Sequence, residues 1–249
     1  MPPQRIISVV PSQTELLFDL GLDQEIVGIT KFCIHPAEKV KDKASVGGTK
    51  TLNLDRIHEL KPDLILANKE ENTREQIEEL QRHYPVHVTD VNTVPDALTM
   101  IREVGDLVGK VLKGEELANK IEDSFRDFKS VTTSGASVAY FIWRKPYMVA
   151  ANQTFIHAML ELAGFQNVFG GLTRYPEVTE TDLKTAQPDL IFLSSEPYPF
   201  SKKHIAELRE VCPAARVLLV DGEVFSWYGS RLLKSADYIQ QLRKSLGLL

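Results

Sequence analysis

Cysteine is scarce: only Cys33 and Cys212 occur in 249 residues. At most one disulfide can form, so the chain is not a disulfide framework, and without a CxxC pair the thiolate-rich structural zinc sites are excluded as well. Runs of like charge are missing too. With 29 basic and 34 acidic residues the net charge is −5, a balance that excludes a nucleic-acid surface or an anionic membrane as the expected partner. Nothing approaches the roughly 20 consecutive apolar residues of a membrane span. The chain enters its first strand at Arg5, which leaves no room for a charged and then apolar leader. A cytoplasmic location is therefore expected as encoded, and a periplasmic one if a leader has been removed. Catalytic signatures are also absent: there is no GxSxG, and GGTK at 47–50 precedes no helix of the pattern that a phosphate-cradling loop requires. No enzyme is expected.

What the sequence does contain is repetition. NLDRIHELKPDLILANKE at 53–70 returns as TETDLKTAQPDLIFLSSE at 179–196, an offset of 126 that aligns Pro62 with Pro188, Asp63 with Asp189 and Leu64 with Leu190. Each copy reads as a polar amphipathic helix, a Pro-Asp break and an apolar run too short for a helix, hence a buried strand. The likeness extends outward, with the strand and helix of 5–22 echoed at 137–165 and VHVTD at 86–90 echoed by VLLVD at 217–221. In the first half, strands are predicted at 5–10, 25–29, 63–67 and 86–90, with helices at 14–21, 53–60 and 72–83. Thr14 and Glu15 open the first helix and Gly21 closes it, while the acidic run KEENTRE at 69–75 opens the third, where carboxylates favour the helix start. In the second half, strands are predicted at 137–142, 190–194 and 216–220, and helices at 154–163, 180–186, 202–210 and 230–246. Apolar residues at helical spacing from Val94 to Phe128 predict two more helices, split by Gly109 and Gly114, the second over 112–129. The fold class is α/β: two similar lobes with mainly parallel sheets covered by helices, over 1–93 and 131–249, joined by a rigid helical connector at 94–130. Two such lobes leave a cleft, a default place for a small molecule.

The order strand, PSQTELLFDLG, TKFCIHP, NLDRIHELKPDLILA, helical connector, RYPEVTETDL and QPDLIFLSSEP resembles the helical-backbone, or class III, substrate-binding proteins of ABC importers. The likeness covers the chain from Arg5 to the last helix and is closest to the cobalamin-binding branch of these cobalamin, haem and iron-chelate receptors. The resemblance implies a metal chelate bound without catalysis and without a catalytic cofactor, and delivery to an ABC permease. It also implies one acidic docking residue on each lobe. Asp55 stands at the first position, while the second falls on Thr181, flanked by Glu180 and Asp182, of which Asp182 is taken as the docking acid.

In open α/β sheets, ligands sit beyond the carboxyl ends of the strands. Among the residues that rule selects are Ser12, Lys31, Phe32, Cys33 and His35 in the first lobe, and Trp143, Arg144, Arg174, Tyr175, Glu196, Tyr198, Trp227, Tyr228 and Arg231 in the second. Both tryptophans fall on these loops although aromatics are 8% of the chain. Flat rings with a few charges suit a large conjugated ligand such as a corrin, haem or siderophore. The arginines either fork onto ligand carboxylates or pair with neighbouring acids, and the tryptophans either meet ligand or cap the core. Cys33 and His35, two apart on an extended segment, are either a metal-facing pair or a buried thiol beside a surface imidazole. Ser12 in PSQTE is either a helix cap or part of a modest anion site. Two other functions are open: a cytoplasmic corrinoid or metal-chelate handling protein without a permease, and an enzyme using Cys33 and His35.

Overall fold

Contacts divide the computed structural model, which describes residues 1–126 and 135–248, into two units. The first takes Met1–Val91, Pro95–Glu122 and Trp227–Leu233, and the second takes Asn92–Val94, Asp123–Ser226 and Lys234–Leu249. Trp227–Leu233 thus belongs to the first unit although chain of the second flanks it on both sides.

The first unit runs β1 (Ile6–Ser8), α1 (Pro11–Asp19), β2 (Ile26–Ile29), α2 (Ala37–Val40), β3 (Ala44–Ser45), β4 (Gly47–Gly48), β5 (Thr51–Leu52), α3 (Leu54–Leu60), β6 (Leu64–Asn68), α4 (Arg74–Gln81), β7 (Val86–Thr89), α5 (Val94–Leu107) and α6 (Val111–Ser124). Its main sheet has the order β3-β2-β1-β6-β7, with every pair parallel. β6 reads LILAN and is buried along its whole length, as a strand covered on both faces must be. Ile7, Val9, Ile57, Ile65 and Leu80 close the core around it.

The second unit runs β8 (Ser137–Trp143), β9 (Tyr147–Val149), α7 (Phe155–Leu162), β10 (Gln166–Asn167), β11 (Glu177–Val178), α8 (Glu180–Ala186), β12 (Leu190–Ser194), α9 (Lys202–Val211), β13 (Arg216–Val220), α10 (Gly222–Ser226) and α11 (Leu232–Leu246). β8, β12 and β13 pair in parallel, and β9 and β11 extend the sheet antiparallel at one side.

The repeated Pro-Asp has a mechanical reason. α3 and α8 both end on a left-handed residue, Lys61 and Gln187, each at φ 45°, and the proline that follows cannot continue the helix. The next residue then ties down the start of the neighbouring strand. Asp63 accepts from the backbone N–H groups of Gln4 and Arg5 at 2.7 and 2.8 Å, and Asp189 accepts from the N–H and hydroxyl of Ser137, both at 2.8 Å.

Several expectations shift. α1 opens at Pro11 and not at Thr14, because a proline at the first helical position has its φ already set and needs no partner for a missing N–H. Ser12 is therefore inside the helix and caps nothing; Val10 is the N-cap residue and gives no side-chain bond. α4 opens at Arg74, so most of the acidic run lies in the preceding turn, where Asn68 Oδ1 accepts from the N–H groups of Glu70 and Glu71. Gly109, at φ 70°, does separate α5 from α6, but Gly114 sits within α6. A Cβ on Gly105 would lie 3.1 Å from the Gly114 Cα, so the pair allows close helix packing and makes no break. The expected continuation of α6 through 127–129, Phe128 included, lies outside the described residues.

Candidate functional site

In the first unit the loop after β2 turns back at once, with Cys33 N–H donating to the Thr30 carbonyl at 3.0 Å. This turn replaces the extended run expected for Cys33 and His35 and separates their surroundings. The Cys33 sulfur is buried 3.1 Å from the Thr14 hydroxyl and 3.2 Å from that of Thr30, and burial pushes the thiol up, which keeps it protonated. His35 is half-buried, with its ring edge-on to Trp227 at 5.4 Å between centroids. Phe32 and Ile34, on either side of Cys33 in the sequence, stand 51% and 48% exposed, and Lys31 lies 5.1 Å over the Phe32 ring. The loop thus carries two exposed apolar side chains close together in sequence. Trp227 and Tyr228 are buried. The Arg231 guanidinium lies 4.9 Å from the Trp227 ring centroid and forks onto Glu15, Nε to Oε2 at 2.7 Å and Nη2 to Oε1 at 2.8 Å. Ser12 is buried, and its hydroxyl has no hydrogen-bond partner.

In the second unit, Trp143 ends β8 at 40% exposure and stands edge-on to Tyr198 at 5.6 Å. Tyr198 packs in turn on Phe200 and on His204, which is buried. The Ser201 N–H donates to His204 Nδ1 at 2.9 Å, so a neutral His204 carries its proton on Nε2, 3.4 Å from the Tyr198 hydroxyl. Burial, followed by the charges of Lys203 and Arg144, holds the imidazole pKa below its usual range. Arg144 forks onto Glu207 at 2.7 to 3.1 Å, and the Tyr147 hydroxyl donates to the same carboxylate. The Arg144 hydrogen bond is the main reason Glu207 titrates below the ordinary carboxylate range. Burial and then Glu207 push the Tyr147 phenol upward. Glu196 accepts from the Ser226 hydroxyl at 2.8 Å, and a Cβ on Gly222 would come within 2.7 Å of the Glu196 Cγ, so only glycine fits there. Arg174 is exposed at φ 61° and Tyr175 is half-buried.

Two parallel-sheet units with aromatic and charged side chains on the loops beyond their strands define the chain, and residues 6–216 match the family described as Periplasmic binding protein. The chain belongs to that family. Among its relatives, the vitamin B12-binding protein of Pectobacterium carotovorum subsp. carotovorum (strain PC1) is 26% identical over 243 residues, covering 95% of this chain and 87% of the relative. In fold it is similar to the periplasmic vitamin B12 binding protein BtuF of Vibrio cholerae, with a TM-score of 0.84 at 21% identity over 99% and 98% of the two chains. It is equally similar to the periplasmic heme-binding protein BhuT in complex with two hemes, with a TM-score of 0.86 at 24% identity over 98% and 99%. Members of this family are substrate-binding proteins, and these two structures share the fold of the chain.

The remaining sequence candidates divide. Asp55 is exposed in the first turn of α3. Asp182 is also exposed, but its Oδ2 accepts from the Thr179 N–H and hydroxyl in a capping box, and those bonds hold its pKa below the ordinary value. Among the described residues no group of three or more His, Cys, Asp and Glu is arranged to hold a metal ion, and no helix is long and apolar enough to cross a membrane. Glu15, His204 and Glu207 were not selected from the sequence. Strand-end position selects loops, whereas these three lie within helices, Glu15 in α1 of the first unit and His204 and Glu207 in α9 of the second.

Proposed function

We propose that the chain is a non-enzymatic binding protein for a cobalamin-like ligand, released unchanged to an ABC permease. One observation carries the ligand class: Arg144 and Arg231, the cations beside Trp143 and Trp227, are both forked onto protein carboxylates. Drawing either away would leave a partly or fully buried carboxylate uncompensated. The rings thus stand in electrically balanced surroundings, which suit a broad conjugated ring rimmed by neutral amides better than the dicarboxylate edge of haem. The vitamin B12-binding relatives support the same choice. An iron chelate is the alternative ligand.

The test is a titration with cyanocobalamin, haemin and a ferric hydroxamate siderophore, followed in the visible spectrum of each ligand. Cyanocobalamin should saturate with little dependence on salt, and Trp227→Ala should weaken it by about tenfold or more. Tight, salt-sensitive haemin binding without cobalamin binding would overturn the ligand class, and silence from all three would overturn the function. For the partner, Asp55 on α3 is the docking acid of the first unit. On α8 the exposed Glu180 takes that part, since the Asp182 carboxylate is engaged in the cap. Asp55→Arg and Glu180→Arg should each abolish uptake by a reconstituted importer without changing ligand affinity. Undiminished uptake in these variants would show that docking does not use these acids, whereas no uptake with the parent protein would favour a corrinoid-handling protein with no permease.

A further inference from the structure

Glu15 lies in the second turn of α1, and its side chain is 7% exposed; that of Arg231 is 8% exposed. A buried ion pair is a poor device for stability, since apolar residues of similar volume do as well or better. Its distinctive property is geometry. A two-point fork fixes both the position and the plane of a guanidinium, which a lysine would not do. Here the fixed guanidinium stands 4.9 Å from the centre of the Trp227 ring, and the edge-on His35 ring packs against the same indole at 5.4 Å. The same short segment is moored to α1 a second time. Gly229 adopts φ 125°, and a Cβ there would lie 3.2 Å from the Ser12 carbonyl oxygen, so the backbone passes α1 at a distance that suits glycine.

We propose that Glu15 is a positioning residue for ligand binding: through the Arg231 fork it holds the Trp227 indole in one orientation as a rigid face for the ligand ring. This rests on the reading of Trp227 as a ligand wall. The role explains why a carboxylate is kept in the interior of a helix that is otherwise buried from Pro11 to Phe18. It also explains why neither arginine nor glutamate is left to the solvent, where the fork would be screened and mobile.

The experiment uses a Trp143→Phe background, in which Trp227 is the sole tryptophan. Glu15→Gln, Arg231→Lys and the double variant Glu15→Leu/Arg231→Leu are compared with it. Acrylamide quenching and near-ultraviolet circular dichroism of the ligand-free protein report the indole, and cyanocobalamin titration reports binding. All three variants should quench more readily, lose near-ultraviolet signal and bind about tenfold more weakly than the background protein. The double leucine variant separates positioning from support, because apolar replacement of the pair restores folding without restoring the fork. If it melts like the background protein and shows the same quenching and affinity, the proposal is wrong. Should a single variant fail to fold, the double variant still tests the proposal. If the parent protein, with Trp143 intact, binds none of the three ligands, the proposed function falls, and the quenching comparison alone decides whether Glu15 orients Trp227.

Discussion

Glu207 takes two donors on one carboxylate, the Arg144 fork and the Tyr147 hydroxyl. Its folded pKa is depressed, chiefly by the Arg144 hydrogen bond. A depressed acid stabilises the fold fully above its unfolded value near 4.3 and loses that contribution as pH falls through the folded value. The expected loss between pH 7 and pH 3 is about 1 kcal/mol, because the pair is partly solvated and screened. Urea midpoints measured across that range should therefore slope less steeply in Glu207→Gln than in the parent; parallel slopes would mean that the fork contributes nothing to stability. The same residue-scale logic explains what was hidden in the sequence. Arg144 and Arg231 were legible as cations near strand ends, but whether a guanidinium faces ligand or protein depends on acids 63 and 216 positions away. No local pattern connects them.

At the scale of elements, the two Pro-Asp breaks do equivalent work, so their removal should have equivalent effects. Asp63→Ala and Asp189→Ala each delete two hydrogen bonds to the start of a neighbouring strand. Each should cost about 1–2 kcal/mol in chemical denaturation, discounted for exposure to solvent. A cost confined to one copy would show that the repeat is only a resemblance of sequence. These elements were legible because several signals agreed: helix pattern, left-handed cap, proline and a buried run of five. The strands at 190–194 and 216–220 and the helix at 180–186 stand where periodicity placed them. β3, β4, β5, β10 and β11 are two residues each and carry no alternation to read. α1 was misjudged at its start, because PSQTE looks like a cap before a helix when its proline is already the first turn. Gly114 was misread because a glycine that breaks a helix and one that admits a neighbouring helix look alike in sequence.

At the scale of the whole molecule, the first unit is not contained in the first half of the chain. A fragment of residues 1–126 carries Glu15 but lacks Trp227–Leu233 and with it the Arg231 fork. Removing one partner of a buried pair costs about 3–5 kcal/mol, a large share of the roughly 5–15 kcal/mol that holds a domain together. The fragment should show no cooperative thermal transition by circular dichroism. A sharp melt within a few degrees of the intact protein would count against that dependence. The twofold α/β organisation was legible from the repeat, but the assignment of 227–233 was not, since the segment looks like a loop of the second half. Its consequence reaches into synthesis. Glu15 emerges from the ribosome 216 residues ahead of Arg231, an interval of roughly 10–40 s at ordinary translation speeds. The unit begun first is thus completed only near the end of synthesis, and for most of its birth the nascent chain holds an interior carboxylate waiting for its guanidinium.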